Sequence, residues 1–341
     1  MSIRIGVLGV GALGRHHVRT TAATAGATLV GAFDPRAERG RVAEEFGGQA
    51  FADAASLIAA VDAVIVASPT RTHRAMAGAA LAAGKHCLVE KPLAADSAAC
   101  DALVAEAKAS QLVLHVGHVE RMNAAVRAAR PFIRRPRFIE VRRLAGFTPR
   151  GADVDVLLDL MIHDLDLVLE WTGAAPTDVQ AVGVAVLTEG EDIANARLEF
   201  EDGCVADLTA SRVSQERLRK VRLFQEDAYL SLDCGQGTAE MVEADRHAIA
   251  AVVASGALAE AVGGGVPAAA PDWGNLVRRK SLPPLAGDPL TLQLEAFLRA
   301  VRGEAPEPGL ACASGADGAR AVRVVERVRE ALRVRSERWR R

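Results

Sequence analysis

Gly9-Val10-Gly11-Ala12-Leu13-Gly14 follows the apolar run Ile3-Arg4-Ile5-Gly6-Val7-Leu8 and leads into a helix-compatible stretch, the order in which strand, glycine turn and helix build a nucleotide-binding loop. A second apolar run, Thr28-Leu29-Val30-Gly31-Ala32-Phe33, ends on Asp34, twenty residues past Gly14. This spacing predicts a dinucleotide site. Gly9 allows the tight turn, Gly11 lets the backbone approach a pyrophosphate, and Gly14 lets the helix lie close to the strand. Ala12 and Leu13 open that helix, whose positive end favours an anion. Asp34 accepts from the adenosine ribose hydroxyls and repels a 2′-phosphate, which favours NAD over NADP; Arg36 pulls the other way.

Working outward, apolar runs alternate with helix-like stretches through Val61 to Ala67, His86 to Val89 and Leu112 to Val116. The alternation predicts an α/β domain, a parallel Rossmann sheet with crossover helices, over residues 1–120. Ligands of such sheets lie at the carboxyl ends of the strands. Three segments fall there: Ser68-Pro69-Thr70-Arg71-Thr72-His73, Glu90-Lys91-Pro92 and Gly117-His118-Val119-Glu120-Arg121.

After residue 135 the texture changes to alternating runs, Arg137 to Leu144, Val179 to Leu187, Ala194 to Phe200, Val205 to Ser211, Leu218 to Phe224 and Tyr229 to Asp233. They predict a large, mostly antiparallel open sheet, interrupted by one helix over Val154 to Trp171. Residues 121–341 therefore read as an α+β domain for substrate binding and oligomerisation. The Ala/Gly/Pro-rich stretch Gly256 to Pro271 reads as a mobile loop without assigned chemistry, and Leu290 to Val301 and Gly315 to Arg341 as helices available to pack back on the first domain.

The chain has 341 residues, half of them hydrophobic, with a formal net charge of -2, which gives ample core and no electrostatic footprint for nucleic acid. No leader and no apolar span of membrane length is legible, so the expected location is the cytoplasm. The five cysteines, Cys87, Cys100, Cys204, Cys234 and Cys312, show no C-x-x-C spacing, so neither a disulfide framework nor a zinc site is expected.

Glu90-Lys91-Pro92 ends a strand, so Lys91 projects into the crevice, where an ammonium can hydrogen-bond a reacting hydroxyl and stabilise charge on its oxygen. Pro92 fixes the turn and is compatible with a cis bond. On the 154–171 helix, Asp159 and His163 stand four apart and share a face, with Asp166 and Glu170 continuing the stripe. The expectation is a carboxylate that orients His163 and raises its basicity. A metal site is the rival reading of these residues, but no further His or Cys stands at ligand spacing.

The glycine turn, Ser68-Pro69-Thr70 with His73, Glu90-Lys91-Pro92 and Asp159-x-x-x-His163 together resemble the Gfo/Idh/MocA family of nicotinamide-dependent oxidoreductases. The resemblance implies that His163 takes or returns a hydroxyl proton, that Asp159 supports it, and that Lys91 holds the oxygen and contacts the cofactor. It also implies cofactor contacts from Ser68, Pro69, Thr70, His73 and Glu90. Val116 to Asn123 and Asp159 to Asp166 are similar to the branch that oxidises the 3-hydroxyl of UDP-N-acetylglucosamine, making a 3-keto sugar for a partner aminotransferase in lipid A or related glycan synthesis. That resemblance implies substrate contacts from Glu120, Arg121 and Asn123. The segment Ser211 to Arg222 is also like that branch; it reads as an edge strand whose cations, Arg212 and Arg219 among them, could meet a diphosphate. A dehydrogenase of a free polyol such as inositol, or a catalytically idle sensor of NAD and sugar, stays open beside it. The open sheet predicts a homodimer or homotetramer packed sheet to sheet.

Overall fold

The computed structural model of the chain describes residues 2–148, 155–254 and 276–339. The short apolar runs of the first third are buried on both faces, all four residues of Ala63-Val64-Ile65-Val66 included, which is the condition of a strand inside a covered parallel sheet. Six parallel strands result: β1 (Ile3–Leu8), β2 (Ala27–Phe33), β3 (Gln49–Ala50), β4 (Ala63–Val66), β5 (His86–Glu90) and β6 (Leu114–Gly117). The helices α1 (Ala12–Ala23), α2 (Ala37–Gly40), α3 (Ala54–Ala60), α4 (Thr70–Ala82) and α5 (Ser97–Ala109) connect them. The strands run in the order β6-β5-β4-β1-β2-β3, so the winding reverses between β1 and β4 and opens a crevice at their carboxyl ends.

Past α6 (Ala124–Ala129) the chain forms β7 (Phe138–Leu144), α7 (Ile162–Thr172), β8 (Asp178–Val184), β9 (Ile193–Glu199), β10 (Val205–Ser211), β11 (Leu218–Phe224), β12 (Ala228–Asp233) and β13 (Thr238–Ala244). It continues through α8 (Arg246–Ala254), β14 (Val277–Leu282), α9 (Pro289–Val301), β15 (Ala313–Ser314) and α10 (Gly315–Trp339). The second sheet is ordered β14-β13-β12-β11-β7-β10-β9-β8, and every pairing is antiparallel except β7 with β10. Its inner face buries Ile139, Val141, Leu208, Val221 and Leu230. The α10 helix packs on α7 and β8 on one side and on α5 and β6 on the other, and β15 adds an antiparallel seventh strand beside β6. The last elements of the chain thus close both halves.

Three expectations need correction. The strand carrying Arg219 is not an edge: β11 lies between β12 and β7 in mid-sheet. Two strands, β13 and β14, escaped the sequence reading. The helix expected over Val154 to Trp171 is not one regular helix; its first residue lies outside the described residues, and Leu157–Met161 form a π-helical turn before α7 begins. The stretch Gly256 to Pro271 also lies outside the described residues. No helix among the described residues is long and apolar enough to cross a membrane.

Candidate active site

The glycine turn has three distinct tasks. Gly9 has φ +92°, and a Cβ there would come within 2.6 Å of the Ser68 backbone. A Cβ on Gly14 would lie 2.0 Å from the Gly9 carbonyl oxygen, so the helix can start here only without a side chain. Gly11 is the opposite case: nothing lies within 4 Å of where its Cβ would be, leaving free space in front of the first turn of α1. No side chain caps that turn, so the amides around Ala12 and Leu13 are open to an anion. Asp34 is fastened to the same loop, its carboxylate accepting from the backbone N–H of Val10 (2.8 Å) and of Arg36 (2.9 Å). Asp34, Arg36, Arg39, Ser68, Pro69 and Arg71 line a cavity of about 260 Å³. An uncapped helix, a vacant Cβ position and a carboxylate at the β2 end fit an NAD dinucleotide.

His73, expected at the cofactor, turns inward instead. Its Nδ1 lies 2.8 Å from the Pro92 carbonyl oxygen and its Nε2 2.7 Å from that of Ser68, and the residue is 1% exposed. Thr70 is the first residue of α4, directly after Pro69. Glu90 is buried as well: one carboxylate oxygen accepts from Nε2 of His17 at 2.7 Å, the other from the Lys91 backbone N–H at 3.3 Å. Gly117 makes room for it, since a Cβ there would meet the Glu90 carboxyl at 2.7 Å.

The Lys91-Pro92 peptide is cis, and Lys91 reaches across to the π-helical turn. Its Nζ donates to the carbonyl oxygens of Asp159 (2.6 Å) and Leu158 (3.3 Å) and stands 4.0 Å from Asp159 Oδ1. A π-turn shifts its hydrogen bonds from i+4 to i+5, which breaks the four-residue stripe expected for Asp159 and His163. Asp159 accordingly makes no hydrogen bond to His163; its carboxylate faces Lys91, while His163 Nδ1 is buried without a hydrogen-bond partner among the described residues. Beside it, edge-on at 6.4 Å between ring centroids, stands His118, 2% exposed and with neither ring nitrogen hydrogen-bonded among the described residues. Burial, then the charges of Lys91 and Arg143, push His163 well below the ordinary imidazole value. That direction favours the neutral ring, the form able to accept a proton.

Asp159 and Leu160 also line a cavity of about 510 Å³ with Arg212, Arg217, Arg219 and Gln236. Arg212 is held in the wall, Nε donating to Asp192 and a terminal N–H to Thr188. Arg217 and Arg219 are exposed, with no side-chain partner among the described residues. Arg217 and His118 were not singled out from sequence, although both stand inside quoted segments; His17 carried no signal, because nothing local distinguishes it from any helix histidine.

Glu120, Arg121 and Asn123 lie beneath the site rather than on its lining. Arg121 forms a two-pronged pair with Asp166, at 2.7 Å for each bond. Arg143 joins Glu120 (2.6 Å) to Asp164 (2.7 Å), and Asn123 spends its amide on Glu120, Cys234 and the amide of Ala125. Burial opposes the charge on Glu120, but Arg143 outweighs it and holds the carboxyl below its usual range. Glu120 and Arg121 are buried and spend these bonds on neighbouring side chains rather than facing the cavity.

Two comparisons of sequence cover both halves. Residues 3–118 match the oxidoreductase family with an NAD-binding Rossmann fold, and residues 116–231 match the GFO/IDH/MocA C-terminal domain. The chain is 48% identical over 233 residues to UDP-N-acetylglucosamine 3-dehydrogenase of Acidithiobacillus ferrooxidans, covering 68% of this chain and 74% of that one. It is 47% identical over 131 residues to inositol 2-dehydrogenase 1 of Saccharopolyspora erythraea, 36% of this chain and 39% of that one. The solved structure of the Acidithiobacillus enzyme superposes with a TM-score of 0.83, covering 97% of this chain and 98% of that one at 38% identity.

Proposed function

Because the chain belongs to the Gfo/Idh/MocA family of NAD-binding oxidoreductases, we propose that it oxidises the 3-hydroxyl of UDP-N-acetylglucosamine to a 3-keto sugar. The observation that carries this reading is the joining of Lys91, from the dinucleotide half, to the Asp159 turn, at a cavity lined by Arg217 and Arg219. When bound, NAD supplies the acceptor for the hydride that leaves the sugar carbon. His163 takes the hydroxyl proton on a ring nitrogen. Lys91 exchanges its bond to the Asp159 carbonyl for one to the substrate oxygen, and so steadies the negative charge that grows there. Asp159 keeps the ammonium in place, and the exposed guanidiniums of Arg217 and Arg219 suit a diphosphate.

The inositol reading has the weaker support: that similarity spans 36% of this chain, and an inositol offers nothing for Arg217 and Arg219 to neutralise. An idle sensor has no use for a neutral histidine and an ammonium held at one turn. The keto product suits an aminotransferase as the next enzyme, we place the reaction in the cytoplasm, and we propose a homodimer or homotetramer assembled through the outer face of the second sheet.

The test is absorbance at the reduced-nicotinamide band on mixing protein, NAD and UDP-N-acetylglucosamine, with a coupled aminotransferase and amino donor to draw off the ketone. A signal that needs both the UDP group and His163 is expected. A signal only with inositol or free hexoses favours the second reading, and silence with every sugar despite tight NAD binding removes the enzyme reading.

A further inference from the structure

Two buried histidines outside the catalytic set converge on the tripeptide that carries Lys91. His17 comes from α1, the helix whose uncapped start faces the pyrophosphate position, and its Nε2 donates to Glu90 at 2.7 Å with both groups nearly sealed, 1% and 7% exposed. His73 comes from the first turn of α4 and is wedged between two carbonyl oxygens, that of Ser68, which lines the cavity beside Asp34, and that of Pro92, its ring N–H donated to one and the ring packed against the other. Glu90 in turn receives the Lys91 amide, in a space that Gly117 leaves vacant. The two segments that face the dinucleotide are therefore each pinned, through one histidine, to one side of the Glu90-Lys91-Pro92 turn.

We propose that His17 and His73 are positioning residues that make the placement of the Lys91 ammonium depend on a dinucleotide seated at α1 and Ser68-Pro69. The reason is the stiffness of the linkage: short buried hydrogen bonds in a low-dielectric interior have no water to replace them, so a shift of α1 or of the Ser68 loop reaches the turn rather than dissipating. Neither histidine touches substrate. The inference rests on the reading of Lys91 as the group that meets the reacting oxygen, but its first readout does not involve catalysis.

Lys91 is one of five lysines, so reductive methylation with a carbon-13 label gives a spectrum in which its signal is assignable by comparison with Lys91→Arg. The probe is ADP-ribose, which carries the adenosine and pyrophosphate but no nicotinamide to touch Lys91 directly. In the unaltered protein ADP-ribose is expected to shift the Lys91 signal. In His17→Leu and His73→Leu it should still bind, with its dissociation constant within about threefold, while the shift is lost and kcat falls about ten- to a hundredfold with little change in KM for the sugar. His17→Gln and His73→Gln, whose side-chain amides can still donate one hydrogen bond, should recover part of both readouts. No shift in the unaltered protein, or an intact shift in folded leucine variants, overturns the proposal. A shift that behaves as expected in a protein with no dehydrogenase activity upholds the linkage and overturns only the function proposed above.

Discussion

In the reaction proposed above, Lys91 and His163 divide the chemistry between an ammonium and a neutral imidazole, and each should fail in its own way. His163→Ala and Lys91→Ala are expected to bind NAD normally and to lose about a hundredfold or more in turnover, measured as cofactor reduction. The pH profile is more diagnostic. With burial and Lys91 holding His163 below its ordinary value, the acid limb of kcat/KM in the free enzyme should lie below about pH 6.5, with activity lost only as pH falls through the lowered value. An acid limb above that point would remove His163 as the base. Asp159→Asn should raise KM and lower kcat through Lys91 while leaving the acid limb where it is, because the Asp159 carboxylate faces Lys91 and makes no bond to His163. Those residue types were legible in the sequence. Which carboxylate serves which partner was not, since the four-residue spacing assumes a regular helix.

At the scale of elements, the departures from regularity build the site. The π-turn at Leu157–Met161 carries the Leu158 and Asp159 carbonyls to which Lys91 donates, and it sets the Asp159 carboxylate toward Lys91 rather than His163. The glycine turn is the other such element: Gly14→Ala places a methyl 2.0 Å from a backbone oxygen, and NAD binding, followed by fluorescence titration, should fall below detection. Gly9 and Gly14 were readable because each answers a local steric demand. The position of β11 was not. Alternating cations look alike on an edge and in mid-sheet, and only the pairing with β7 and β12 carries Arg219 to the cavity. Arg219→Ala is expected to raise KM for a UDP-sugar by about tenfold, the weight of one hydrogen bond to a charged group, without weakening NAD binding.

Across the whole molecule, paired buried charges lock the two sheets together. Arg121, just past β6, grips Asp166 on α7 and stands 3.5 Å from Asp317 on α10, so one guanidinium binds the elements that span both halves. Arg121→Ala leaves Asp166 buried without its partner and should cost about 3–5 kcal/mol of stability in a denaturant titration. Acid should act in the same direction. His115 is lowered to about 4, and His118 and His163 are lowered too, in each case first by burial. As pH falls below about 6.5 the unfolded chain takes up these protons before the folded one, so stability present at neutral pH is lost between that point and about pH 4. The melting temperature across that range is the check. The outer sheet face carries Phe138, Phe224 and Tyr229 in ring contact, and light scattering should find a dimer or tetramer at micromolar concentration; a monomer there removes the proposed assembly.

By itself the sequence determined what depends on neighbours along the chain: the dinucleotide turn and the parallel and antiparallel textures of the two halves. Each is set by short-range sterics or by side-chain period, which a linear reading contains. Only the tertiary structure decided what Glu120, Arg121 and His73 do, where Arg219 lies, and that Asp159 belongs with Lys91. Charge and hydrogen-bonding capacity do not specify a partner. For buried groups the partner is whichever complementary atom the packing delivers, here from as far away as Asp317 for Arg121 and Pro92 for His73.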